Sequence, residues 1–220
     1  MLDCIEIEPQ TTATASVIWL HGLGADGNDF VPIVEELGLP AGHGIRFVFP
    51  NAPVRPVTIN NGMAMRAWYD IKGMAIEDKQ DAEGIRDSAD AIEQLIAREI
   101  ERGIPAERIV LAGFSQGGAI ALHAGVRHGA ALAGVMGLST YLPLAETLEK
   151  EASDANRGVC IFMAHGSQDP VVPIGLGQAS RDHLLDAGYD VAWHEYPMQH
   201  QVCMPQIATI GRWLAERLDA

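Results

Sequence analysis

The sequence is poor in cysteine, in basic residues and in long apolar runs, and each shortage closes off a class of function. Its three cysteines, Cys4, Cys160 and Cys203, are widely spaced and odd in number. That argues against a disulfide framework and predicts reduced thiols in a cytoplasmic protein. Lys and Arg together number 15 against 29 Asp and Glu, a formal net charge of −14. So acidic a surface repels phosphate backbones and anionic lipid, which speaks against a nucleic-acid partner and against polybasic membrane docking. No apolar run nears the ~20 residues that a membrane helix requires, so stable membrane insertion is not expected. The opening residues, Met1-Leu2-Asp3-Cys4-Ile5-Glu6, are acidic and lack the pattern of a signal peptide. Metal-ligand spacing is missing too. Neither Cys-x-x-Cys nor His-x-x-x-His occurs, and no metal site is expected.

What the chain does have is 48% hydrophobic residues over 220 positions, enough for one domain spanning 1–220. Short apolar runs at Ser16–Leu20, Ile45–Phe49, Ile109–Leu111, Leu132–Leu138, Val159–Ala164 and Asp190–Tyr196 read as strands, most of them covered on both faces. Between them, Ile85, Ala89, Ile92, Leu95, Ile96 and Ile100 recur at helical spacing, closed by Gly103 and Pro105. Gln116–Arg127, Pro173–Ala187 and Cys203–Leu218 also read as helices. This alternation predicts an α/β fold with a mostly parallel central sheet and helices on both faces. The alternation Ile5-Glu6-Ile7-Glu8 suggests an antiparallel edge strand. Only Ser139–Gly158 separates two neighbouring strands, which leaves no room for a large cap domain.

One turn carries the functional signal. Ile109-Val110-Leu111 enters Gly113-Phe114-Ser115-Gln116-Gly117 and leaves through Gly118-Ala119. This is Gly-x-Ser-x-Gly between a strand and a small-residue helix, the nucleophile elbow that lifts a serine hydroxyl above a sheet. The plainer reading is a Gly-rich turn whose serine caps a helix. A serine nucleophile needs a base, and the base needs an orienting acid, in the chain order Ser, acid, His on this architecture. Asp169 follows the strand Val159–Ala164, where ligands collect in open α/β sheets, and Pro170 keeps it out of a helix. Asp154, Asp182, Asp186 and Asp190 occupy less suitable positions. His200 lies just beyond the final strand and is the candidate base. His194 is mid-strand, His165 shares the acid's loop, His123 and His128 belong to the elbow helix or its end, and His183 lies on a helix face. Leu23, between Gly22 and Gly24 after the first long strand, and Gln116, directly after the nucleophile, are the candidate oxyanion-hole donors. With no Walker sequence and no lysine near His21–Gly27, no cofactor is expected. Cys203 opens a helix beside an apolar stripe, with nothing visible to activate its thiol.

These segments, with Arg66-Ala67-Trp68-Tyr69-Asp70, His165-Gly166-Ser167-Gln168-Asp169-Pro170-Val171-Val172-Pro173 and Met198-Gln199-His200-Gln201-Val202, resemble the carboxylesterase/acyl-protein thioesterase family over nearly the whole chain. The resemblance implies an α/β-hydrolase fold, Ser115, Asp169 and His200 as triad, and Leu23 and Gln116 as oxyanion hole. It also implies that the loop Asn61–Ala75 borders an acyl pocket, with Trp68, Ile71, Met74 and Val172 as candidate substrate-binding residues. Gln199 stands where such proteins carry a small residue. The expected activity is hydrolysis of short to medium carboxylic esters or thioesters by an acyl-enzyme. The rival within the class is a long-chain acyl-protein thioesterase or lysophospholipase, and the rival outside it is a binding module that has lost catalysis. The expected partner is a small ester or thioester, and the resemblance is compatible with a homodimer.

Overall fold

The computed structural model describes residues 1–73 and 80–219. Seven strands form one sheet in the order β1-β3-β2-β6-β7-β8-β9. They are β1 (Cys4–Ile7), β2 (Ala15–Leu20), β3 (Ile45–Pro50), β6 (Ile109–Phe114), β7 (Gly134–Leu138), β8 (Cys160–Gly166) and β9 (Asp190–Tyr196). All neighbours are parallel except β1, which runs antiparallel along the β3 edge with Ile5 opposite Phe49. The central strands β2, β3 and β7 are buried along their length, because helices cover both faces.

The two faces follow from the period of two in a strand. Ile18 and Leu20 of β2, with Ile109 and Leu111 of β6, meet α2 (Ala82–Glu101), α3 (Gln116–Gly125) and α5 (Ile174–Asp186). Val17 and Trp19, with Val110 and Ala112, meet α1 (Ile33–Glu36) and α6 (Met204–Arg217) through Ile33, Ile207, Ile210 and Leu214. The apolar stripe of α2 runs through Ile85, Ile92, Leu95 and Ile96, all fully buried, and its charged residues face outward apart from Glu99. No helix among the described residues is long and apolar enough to cross a membrane.

The sequence reading anticipates every strand of the large sheet but not the small one. A hairpin of β4 (Val54–Val57) and β5 (Met63–Arg66) turns at Asn61 and Gly62, both in the left-handed region, so that its second strand occupies part of the expected loop Asn61–Ala75. Between β7 and β8 the chain makes only short helical turns, among them α4 (Leu148–Glu151), as the brevity of that segment requires.

Candidate active site

Parallel strands deliver their carboxyl ends to one edge of the sheet, and the loops beyond β2, β6, β8 and β9 bring the candidate residues together there. Ser115 sits between β6 and α3 at φ 53° and ψ −121°, a conformation that only a rigid surround can hold. The surround is close-packed backbone. A Cβ on Gly113 would lie 2.4 Å from the Gly117 carbonyl, and one on Gly117 would lie 2.4 Å from the His21 carbonyl oxygen. The Ser115 N–H donates to Leu138 O at 2.8 Å, and its own carbonyl accepts from Ala119 N and, at 2.6 Å, from Thr140 Oγ1. Ser115 occupies the N-cap position of α3, yet its hydroxyl makes no capping bond. It faces His200 instead, with Oγ 2.9 Å from Nε2.

His200 Nδ1 lies 2.6 Å from Asp169 Oδ2. An ionised carboxylate only accepts, so Nδ1 carries the proton and Nε2 is left to accept from the serine hydroxyl. The other oxygen, Asp169 Oδ1, accepts the backbone N–H groups of Val171 at 2.8 Å and Val172 at 2.9 Å, which fixes the carboxylate in a turn. His165 Nε2 stands 3.6 Å from Asp169 Oδ2 and 2.8 Å from Val172 O. Burial pushes the His165 imidazole below its ordinary pKa. It therefore stays neutral, donates to Val172 and leaves the Asp169 charge to His200. The loop bearing His200 lies against the end of β8, where a Cβ on Gly166 would sit 2.4 Å from Gln199 O.

The remaining histidines have structural surroundings. His194 stacks on Phe162 with ring centres 4.9 Å apart, and His128 Nδ1 is 2.7 Å from Glu93. Burial lowers the His123 pKa to about 4. His21, which sequence reasoning passed over, accepts from Ala52 N–H through Nε2 at 3.1 Å while Nδ1 contacts Gly22 O at 2.7 Å. That pairing pins the turn carrying Leu23. Among the described residues, neither Leu23 N–H nor Gln116 N–H meets an acceptor. Gln116 begins α3, where the first amides of a helix have no partner of their own. Gly22–Gly27 also spells Gly-x-Gly-x-x-Gly, the pattern of a dinucleotide loop. It leads only into a single turn, Gly27–Asp29, and so lacks the helix N-terminus that would face a pyrophosphate.

Ser115 and His200 open onto a cavity of about 690 Å³ that Leu23, Ile71 and Val172 help to line. Trp68 does not line it, which corrects the expectation. Its side chain is 0% exposed; Nε1 donates to His21 O at 2.9 Å, its N–H donates to Gln116 Oε1, and its carbonyl accepts from Ser88. Trp68 thus clamps the Leu23 turn to the elbow from behind, and its neighbour Tyr69 takes the cavity face. Met74 lies outside the described residues. Gln199 is exposed beside His200. Tyr141, Leu142, Phe114 and Leu176 also line the cavity without having been anticipated, and only Phe114, inside the elbow, had a sequence signal.

Comparison with known proteins identifies the family. The chain matches the Phospholipase/Carboxylesterase family over residues 3–217. It is 38% identical to acyl-protein thioesterase 1 of Yarrowia lipolytica, covering 97% of this chain and 96% of the relative. It is 42% identical to acyl-protein thioesterase 1 of Neurospora crassa, covering 93% and 87%. Among solved structures, acyl-protein thioesterase 2 of Zea mays superposes with a TM-score of 0.88 at 30% identity, covering 99% of this chain and 100% of that one. A fold shared over this length, with a match from residue 3 to residue 217, makes this chain a member of the phospholipase/carboxylesterase family and an ester hydrolase with the α/β-hydrolase fold.

Proposed function

We propose that the chain is a serine hydrolase that cleaves acyl esters and thioesters through an acyl-enzyme on Ser115. The observation that carries this reading is the continuous contact Ser115 Oγ to His200 Nε2 at 2.9 Å and His200 Nδ1 to Asp169 at 2.6 Å, at the wall of the apolar cavity. As Ser115 Oγ attacks the carbonyl carbon, its proton passes to His200 Nε2 and Asp169 stabilises the imidazolium. The carbonyl oxygen becomes an oxyanion, and the free amides of Leu23 and Gln116 are the donors for it. When the tetrahedral species collapses, the alcohol or thiol leaves with the proton from His200. Water then attacks the acyl-enzyme by the same route and releases the acid.

Two substrate ranges stay in play, short to medium esters and the longer acyl thioesters. The names of the relatives favour the thioesterase reading at least as strongly. The cavity, about 690 Å³, is well within the range of sites that enclose a whole small-molecule ligand. A series of acyl esters from acetyl to palmitoyl, each with its matched thioester, separates the two. A rate that collapses beyond octanoyl supports the short-chain range, and a rate that rises to palmitoyl supports the long-chain one. The mechanism itself rests on Ser115→Ala, expected to lower kcat by on the order of 10⁶ and to abolish labelling by a fluorophosphonate. Full activity in that variant would refute it. A homodimer belongs to this reading as well, and light scattering at working concentration decides it.

A further inference from the structure

We propose that the paired phenols of Tyr69 and Tyr141 form a polar subsite that selects substrates carrying a second oxygen, hydroxyl or carbonyl, close to the scissile bond. This rests on the hydrolase reading above and adds a substrate class to it. The two hydroxyl oxygens are 2.8 Å apart, and both residues line the cavity. Each phenol has one proton to give, and one contact consumes only one of the two. Among the described residues no other acceptor meets either hydroxyl. Either hydroxyl can donate to the other; Tyr69 is 3% exposed and Tyr141 is less buried, which favours Tyr69 as the donor and leaves the Tyr141 proton for the cavity. Burial pushes both phenols above their ordinary pKa, and they remain neutral donors.

Of the other polar groups lining the cavity, Asp29, Glu146 and His183 are exposed, while the more buried ones are already engaged. Ser180 Oγ accepts from Leu142 N–H and donates to Leu176 O, each at 2.8 Å. The Gln116 amide bonds Trp68 N and Tyr69 O, and the Asp70 carboxylate accepts from Thr58. The phenol pair is also held in register with the nucleophile. Gln116 Nε2 grips the Tyr69 carbonyl at 2.7 Å, and Thr140, next to Tyr141, grips the Ser115 carbonyl at 2.6 Å. A plain alkyl chain lying here displaces solvent and leaves an O–H unpaired, whereas an oxygen at the same place replaces the lost bond. Discrimination therefore acts against the unsubstituted chain.

The oxygen can belong to the acyl chain or to the leaving group, and two arms of one experiment tell them apart. The first compares octanoyl esters with hydroxyoctanoyl esters of the same alcohol, the hydroxyl being walked along the chain. The second compares octanoyl esters of glycerol with those of a simple alkyl alcohol. We expect one arm to show about a tenfold preference in kcat/KM for the oxygenated member. In Tyr141→Phe that ratio falls to near unity, as it does in the double variant with Tyr69→Phe. Loss in the double variant alone supports the subsite with Tyr69 as the outward donor. Flat ratios in both arms, or a preference that survives the double variant, overturn the proposal. If fluorophosphonate fails to label Ser115 and the plain octanoyl ester is not turned over, the hydrolase reading falls and the subsite with it. A labelled, active enzyme with flat ratios rejects the subsite alone.

Discussion

A serine at positive φ is a costly residue, and the elbow accepts the strain because a relaxed turn would not lift the hydroxyl clear of β6. The backbone of the Leu20–His21 segment leaves room for no Cβ at position 117. We expect Gly117→Ala to cost about 1–3 kcal/mol in urea unfolding, since the clashing atoms are main chain and have nowhere to go. Its esterase rate should fall further than the stability loss explains, because the same push displaces the Leu23 turn. His123 tests burial in another way. Its imidazole stays neutral in the folded chain down to a pKa of about 4, held there chiefly by desolvation and next by Arg127. An unfolded histidine takes up its proton near pH 6.5. Between the two values the unfolded chain binds a proton that the folded one refuses. Stability is therefore full above about pH 6.5 and declines as pH falls toward 4. His123→Gln should flatten that limb of a stability-against-pH curve, and an unchanged slope would contradict the assignment. At this scale the meeting of Ser115, His200 and Asp169 was legible because each follows a strand in a fixed chain order. Trp68 and Tyr69 were not distinguished, because the chain bends at these two residues beyond β5 and nothing in the sequence says which side chain faces the cavity.

Among the elements, β1 shows how an edge strand is held. Glu6 and Glu8 meet Arg98 of α2, Arg102 at its C-terminal cap and Arg46 of β3, and Glu99 lies beneath, fully buried against Arg46 at 2.8 Å and Arg102 at 2.9 Å. Buried and exposed members of such a network differ greatly in worth. Glu99→Ala takes from Arg46, whose side chain is 10% exposed, its one fully buried partner and leaves it only the half-exposed Glu8, and we expect a loss of about 3 kcal/mol. Glu8→Ala removes a side chain that is 53% exposed and should cost less than about 1 kcal/mol. Paired denaturant titrations that gave the two equal losses would show the network to be surface decoration. The helix α2 was legible from its apolar period, but the ion network was not, because Glu99 reads in sequence as one more outward charge. The hairpin of β4 and β5 was missed although Asn61-Gly62 is a strong hairpin signal, because the flanking residues lack an apolar alternation.

Across the whole molecule, the parallel sheet does the work of assembly, and its order was legible only in outline. Strand identity follows from short apolar runs, whereas spatial order depends on which crossovers pack, information that no single run contains. The same holds for the cavity, whose walls come from the segments beyond β2, β5, β6, β7, β8 and β9 and from α5. Ser115 is 85 residues from His200 in sequence, and Asp169 is 31 from it, each on the loop of a different strand. Reactivity toward a fluorophosphonate is consequently a clock for the last stage of folding. Secondary structure can return while Ser115 still lacks the His200 imidazole beside it, since that residue arrives only when β9 closes the row beside β8. After dilution from urea, we expect labelling to lag the recovery of far-UV circular dichroism and to follow the slowest phase. Labelling that kept pace with the fastest phase would show that the site forms before the sheet does. A chain emerging from the ribosome is subject to the same order: until the segment bearing His200 has been made and β9 has docked on β8, Ser115 has no imidazole beside it.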